Sequence, residues 1–134
     1  MKLQYLLDTN MCIYIIKEKP NSVLVRFKKI SIGETAMSTI TYGELLYGAH
    51  KSQYRDKAIQ KLEELVHFIP SLPLPADVAD YYGKIRSLLE KKGTPIGNND
   101  LWIAAHALCL DVTLVRNNEK EFRRIAGLKL ENWC

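Results

Sequence analysis

Cysteine is scarce in this 134-residue sequence: Cys12, Cys109 and Cys134 are odd in number and far apart. That argues against a disulfide framework and offers none of the short spacings that zinc or dithiol chemistry needs, so the three read as packing residues. Long apolar runs are missing too. Met1–Leu7 carries one lysine and runs straight into a strand-like segment, too short for a signal peptide or a membrane span. A cytoplasmic protein with no membrane partner is therefore expected. Also absent are G-x-G-x-x-G, P-loop and G-x-S-x-G sequences, which removes the dinucleotide, nucleoside-triphosphate and serine-hydrolase templates. An aspartyl phosphotransferase would place a second Asp two positions after Asp8, where this chain has Asn10. His50, His67 and His106 lack i, i+4 pairing and read as surface or packing histidines.

What is present is ordinary for a globular chain. Hydrophobic residues make up 47% and charged residues 25%, and there is no repeat, low-complexity tract or linker, so residues 1–134 are expected to form one domain. A net charge of +4 suits a phosphate-rich partner, but the lysines and arginines (among them Lys51, Lys57, Lys61, Lys84, Arg86, Arg123 and Arg124) are scattered. They read as solvated helix faces.

Hydrophobic periodicity alternates strand and helix. The apolar run Gln4 to Leu7 ends at Asp8, and helical spacing starts at Met11, which makes Asp8-Thr9-Asn10 a strand-to-helix turn. A helix is expected over Asn21 to Lys29 and a buried strand over Thr35 to Ile40. Thr41-Tyr42-Gly43-Glu44 then matches a capping box. Helical spacing returns from Arg55 to His67 and from Pro75 to Lys92, around a short or edge strand within Phe68 to Leu74. Gly93 to Gly97 breaks the pattern before Asn98-Asn99-Asp100 opens a helix that is apolar nearly all round, a mark of burial on several sides. Strands at Val112 to Val115 and Leu128 to Leu130 close the chain, with a short helical turn through Phe122 between them. This alternation predicts an α/β fold whose mostly parallel sheet is covered on both faces.

In such a sheet the right-handed crossovers send every strand-to-helix turn to one edge. Asp8 follows the first strand, Glu44 follows the second after a helical turn, and Asn117-Asn118 follow the fourth. Asp100, at the start of the buried helix, can turn toward the same edge. Each acid alone has a capping or dipole explanation. Together they would repel, and a divalent cation removes that penalty; hard oxygen donors suit Mg²⁺ or Mn²⁺ rather than zinc. Asn10 and Asn118 could add amide oxygens or orient water. Phosphodiester hydrolysis is the chemistry such a site serves best.

These motifs resemble a known family, the PIN-domain ribonucleases, and within it the VapC toxins of toxin–antitoxin modules. The resemblance rests on Leu7-Asp8-Thr9-Asn10, on Thr41-Tyr42-Gly43-Glu44-Leu45 with Tyr47-Gly48-Ala49, and on Gly93 through Asp100 followed by Ile103-Ala104-Ala105-His106-Ala107. Asn117-Asn118 with Glu121-Phe122 and the closing Glu131-Asn132-Trp133 extend it over essentially the whole chain. It implies a three-layer α/β/α sandwich, metal-binding catalytic acids at Asp8, Glu44 and Asp100, and a supporting role for Asn10. Asn118 stands where many relatives place a fourth acid, and Arg116 where the most similar ones carry Thr or Ser. Those departures imply one strong metal site and at most a weak second. Arg116 reads either as solvent-facing or as a rim arginine that contacts substrate phosphate.

The resemblance further implies RNA cleavage that inhibits translation, with initiator tRNA cut in its anticodon loop as the narrowest form. It also implies a toxin homodimer, a VapB-type antitoxin whose arginine covers the acids, and contact with operator DNA only through that antitoxin. The alternatives are a non-catalytic RNA-binding module and a metal-dependent phosphatase for small esters.

Overall fold

Five short strands form one all-parallel sheet in the computed structural model, which describes residues 2–134. Along the chain run β1 (Tyr5–Leu7), α1 (Thr9–Lys17), α2 (Asn21–Lys28), β2 (Thr35–Ser38), α3 (Thr39–His50) and α4 (Arg55–Leu65). Then come β3 (Ser71–Leu72), α5 (Val78–Lys91), α6 (Asn98–Leu110), β4 (Thr113–Val115), a 3-10 turn (Phe122–Arg124) and β5 (Leu130–Glu131). The spatial order is β3-β2-β1-β4-β5. The winding therefore reverses between β1 and β4, and a crevice opens there at the carboxyl ends of the strands.

Side chains alternate along each strand, so neighbouring residues serve opposite faces. Leu6, Ala36 and Leu114 pack with α5, α6 and Phe122, whereas Leu7, Met37 and Val115 pack with α1 to α4 and Trp133. The three layers inferred from the sequence are thus present. Helix α6 has Leu101, Ile103, Ala104, Ala105, His106 and Ala107 all buried, as its apolar circumference predicts. Among the described residues no helix is long and apolar enough to cross a membrane.

Three expectations are corrected. The second strand stops at Ser38, and α3 begins at Thr39, because the Ser38 hydroxyl accepts from the backbone N–H of Ile40 at 3.2 Å and caps the helix. The capping box over Thr41–Glu44 does not form. Thr41 lies inside the helix and is fully buried, which frees Glu44 for another partner. The cysteines also divide: Cys12 is buried and Cys109 half-buried, but Cys134 is exposed and is no core residue. The basic residues do lie on solvated faces, several in i, i+4 pairs such as Lys84–Asp80 and Arg86–Glu90, each 3.0 Å. His50 and His67 are exposed, while His106 is buried with Nδ1 2.9 Å from the Ser38 hydroxyl and a pKa lowered by burial.

Candidate active site

The crevice begins with Asp8, the first residue after β1. The side chain caps α1: its Oδ1 accepts from the backbone N–H of Met11 at 2.9 Å. The residue is only 4% exposed, and burial pushes its pKa up to about 6, against the opposing pull of the Met11 N–H and of Arg116. Asp100 and Glu44 add like-charge repulsion that raises it further. Asp8 thus feels two acids that are remote from it in sequence.

Asp100 reaches the crevice because α6 is aimed there. Gly93 turns the chain at φ 72°, a left-handed backbone that suits glycine, and buried Ile96 anchors the loop. Tyr82 of α5 then stacks on Trp102 at 3.8 Å and hydrogen-bonds Asn98, which fixes the first turn of α6. Glu44, on α3, accepts from the Thr9 hydroxyl at 2.7 Å. Thr9 is a residue that sequence reasoning missed: its place beside Asp8 was the only signal, and its partner comes from another helix.

Arg116 follows β4 and lies between two of the acids, with Nε 3.6 Å from Asp8 Oδ2 and Nη1 3.4 Å from Asp100 Oδ1. Its side chain is 12% exposed, so the solvent-facing reading is wrong. The guanidinium packs over the Phe122 ring at 4.1 Å, and Nε donates to the Asn118 carbonyl at 2.7 Å. Asn118 contributes that carbonyl rather than its amide. Its Oδ1 accepts from the Lys120 backbone N–H at 3.2 Å, an Asx-type turn that occupies the position where a fourth acid was sought. Asn10 lies at the exposed edge, 3.5 Å from the Asn117 side chain, and Asn117 in turn donates to Tyr14 at 3.0 Å. The structure thus brings together Asp8, Asp100, Arg116 and, more loosely, Glu44, and leaves Asn10 and the Asn118 amide at the margin.

Among the described residues no three His, Cys or acidic side chains already stand at chelating spacing. The donor chemistry nonetheless fits a hard divalent ion, because the crevice offers carboxylates, and the two thiols that feel Asp8, Cys12 and Cys134, have pKa values raised by burial and so stay protonated. Alongside Glu44 runs an open cleft of about 740 Å³ whose walls include Thr9, Asn99, Tyr47 and Lys51. Tyr47 is 66% exposed, with the Lys51 ammonium 4.7 Å above its ring.

The buried acid has a measurable cost. Since the folded pKa of Asp8 lies near 6, above the ordinary 3.8, the folded chain holds that proton more tightly and loses stability as pH rises between those values. The loss is on the order of 2–3 kcal/mol and persists above the upper value. Asp8→Asn keeps the cap and removes the charge. Thermal melts in EDTA should show the variant gaining on the parent from pH 4 to pH 7; a constant gap would refute this account.

Residues 5–128 match the family described as PIN domain. The chain is 42% identical over 131 residues to Ribonuclease VapC2 of Haemophilus influenzae, covering 98% of each. It is 41% identical over 131 residues to the tRNA(fMet)-specific endonuclease VapC of Shigella flexneri, again covering 98% of each. Among solved structures, a chain in VapBC2 from Rickettsia felis bound to a promoter DNA fragment superposes with a TM-score of 0.91. That chain is 41% identical, and the match covers 98% of this chain and 100% of that one.

Proposed function

The chain belongs to the PIN-domain family, and from that premise we propose that it is the toxin of a toxin–antitoxin module, a divalent-metal-dependent endoribonuclease. The observation that carries the reading is that Asp8, at the carboxyl edge where the sheet reverses, lies within reach of the charges of both Asp100 and Glu44. Relatives that match the whole length and are named ribonucleases support it.

Asp8, Glu44 and Asp100 would hold Mg²⁺ or Mn²⁺, which when bound supplies water activation and charge stabilisation for the leaving oxygen. The protein's part is positioning. The Met11 N–H keeps Asp8 in one rotamer, and the Thr9 hydroxyl orients Glu44. The Tyr82–Trp102 stack and the Tyr82–Asn98 bond hold the helix turn that carries Asp100. The cleft beside Glu44 suits a single-stranded RNA loop, with exposed Tyr47 as a stacking surface for a base and Lys51 near a phosphate.

The substrate we propose is initiator tRNA, cut in its anticodon loop. A relative of 41% identity is named for tRNA(fMet). Purified protein incubated with total tRNA and Mg²⁺ should give one dominant pair of ends, in that loop. Cleavage spread over other tRNAs would overturn the substrate. Hydrolysis of a chromogenic phosphate ester with RNA left intact would overturn the activity. The similar solved structures are VapBC complexes, some bound to DNA, so we further propose a VapB-type antitoxin, a hetero-oligomer built on a toxin homodimer, and DNA contact through the antitoxin. An antitoxin arginine would find carboxylates ready to pair.

A further inference from the structure

Arg116 does more at this site than neutralise a neighbour. An arginine drawn in by carboxylates makes short, often paired contacts of roughly 2.7–2.9 Å, but here the distances to Asp8 and Asp100 are 3.6 and 3.4 Å. The short contact is elsewhere, the 2.7 Å bond from Nε to the Asn118 carbonyl. On its flat side the guanidinium rests on Phe122, which is fully buried, and the backbone N–H of Arg116 is tied to β5 through the Glu131 carbonyl at 3.0 Å. The scaffold thus clamps this cation independently of its longer ion pairs with Asp8 and Asp100, the second of which is also a hydrogen bond.

Charge balance says what it replaces. Asp8 and Asp100 face the guanidinium, and Glu44 stands near enough for Asp8 to feel its charge, so three carboxylates against this one cation leave two formal negative charges, which one divalent ion balances and two would overshoot. The position after β4 that could have offered another acid carries Asn118, whose side-chain oxygen is taken up by the Lys120 N–H. We propose that Arg116 is a fixed cation standing in place of a second divalent ion, clamped by the Asn118 carbonyl and the Phe122 ring between Asp8 and Asp100. The crevice accordingly takes a single ion. This rests on the metal-dependent reading of the site and deepens it by assigning the ion count and a positioning role for a residue of this chain.

The test counts ions without RNA. Mn²⁺ titrated into the parent protein at pH 7.5, followed by electron paramagnetic resonance and calorimetry, should saturate at one ion per chain. Arg116→Thr should admit a second ion or bind the first at least about tenfold more tightly, since a positive charge has left the site. Arg116→Lys, which keeps the charge and shields the result from a folding failure of the threonine variant, should stay at one ion. Circular dichroism confirms that each variant is folded. The idea is overturned if the parent takes two ions in the crevice, or if Arg116→Thr matches the parent in both number and affinity. Asp8→Asn run beside them shows that the counted ion sits at the acids. Failure of the ribonuclease reading would look different: the parent would bind its ion and leave RNA intact, with the count still readable.

Discussion

Asp100→Ala is expected to abolish most RNA cleavage while leaving a folded protein. The carboxyl group is 36% exposed at the first turn of α6, so its loss removes a favourable helix-dipole contact worth about 0.3–1 kcal/mol and little packing. The chemistry suffers far more. Outer-shell partners of metal ligands typically cost roughly 10- to 100-fold when removed, and a ligand itself should exceed that, so a loss of at least about a hundredfold is expected in single-turnover cleavage with saturating Mg²⁺. Asp8→Asn should lose at least as much. It makes a cleaner comparison because the asparagine oxygen can still accept the Met11 N–H, so a drop in rate cannot be blamed on the helix cap. If either variant, shown folded, cuts within about threefold of the parent, the acids are not the catalytic centre; threefold is less than 1 kcal/mol of barrier.

Phe122→Ala is expected to give the largest loss of stability, about 3–5 kcal/mol, because it empties one of the largest fully buried sites. Phe122 is the element that joins core to site. One face of it closes the cluster of Leu6, Leu114 and α6, and the ring also supports the Arg116 guanidinium at 4.1 Å. Urea unfolding measures the first effect. The second should appear as altered Mn²⁺ binding in the fraction that remains folded, since a guanidinium without its platform no longer stays between Asp8 and Asp100. Phe122→Leu serves as the contrast: it restores most of the volume and should recover more than half the stability without the flat surface. A loss below about 1 kcal/mol for Phe122→Ala would mean that the 3-10 turn collapses into the space and that the core does not depend on this ring.

The order of strands and helices, the burial of α6 and the candidate acids were all legible in the sequence. Each depends on information spread along a few consecutive residues: apolar spacing, a glycine-proline break, an acid directly after a strand. Asp8 was named because β1 ends there, and it lies at the crevice because parallel crossovers leave it no other edge. The limits of β2 and the cap of α3 were less legible. Ser38 and Thr41 are both plausible caps by residue type, and only burial of Thr41 inside the helix decided between them. What tertiary structure alone decided is where the polar side chains at the site turn. Arg116 could have pointed to solvent, but Phe122 and the Asn118 carbonyl hold it inward; Glu44 could have closed a capping box, but Thr9 from another helix holds it. A rotamer of a long side chain is chosen by contacts from distant parts of the chain, and local sequence carries no record of those.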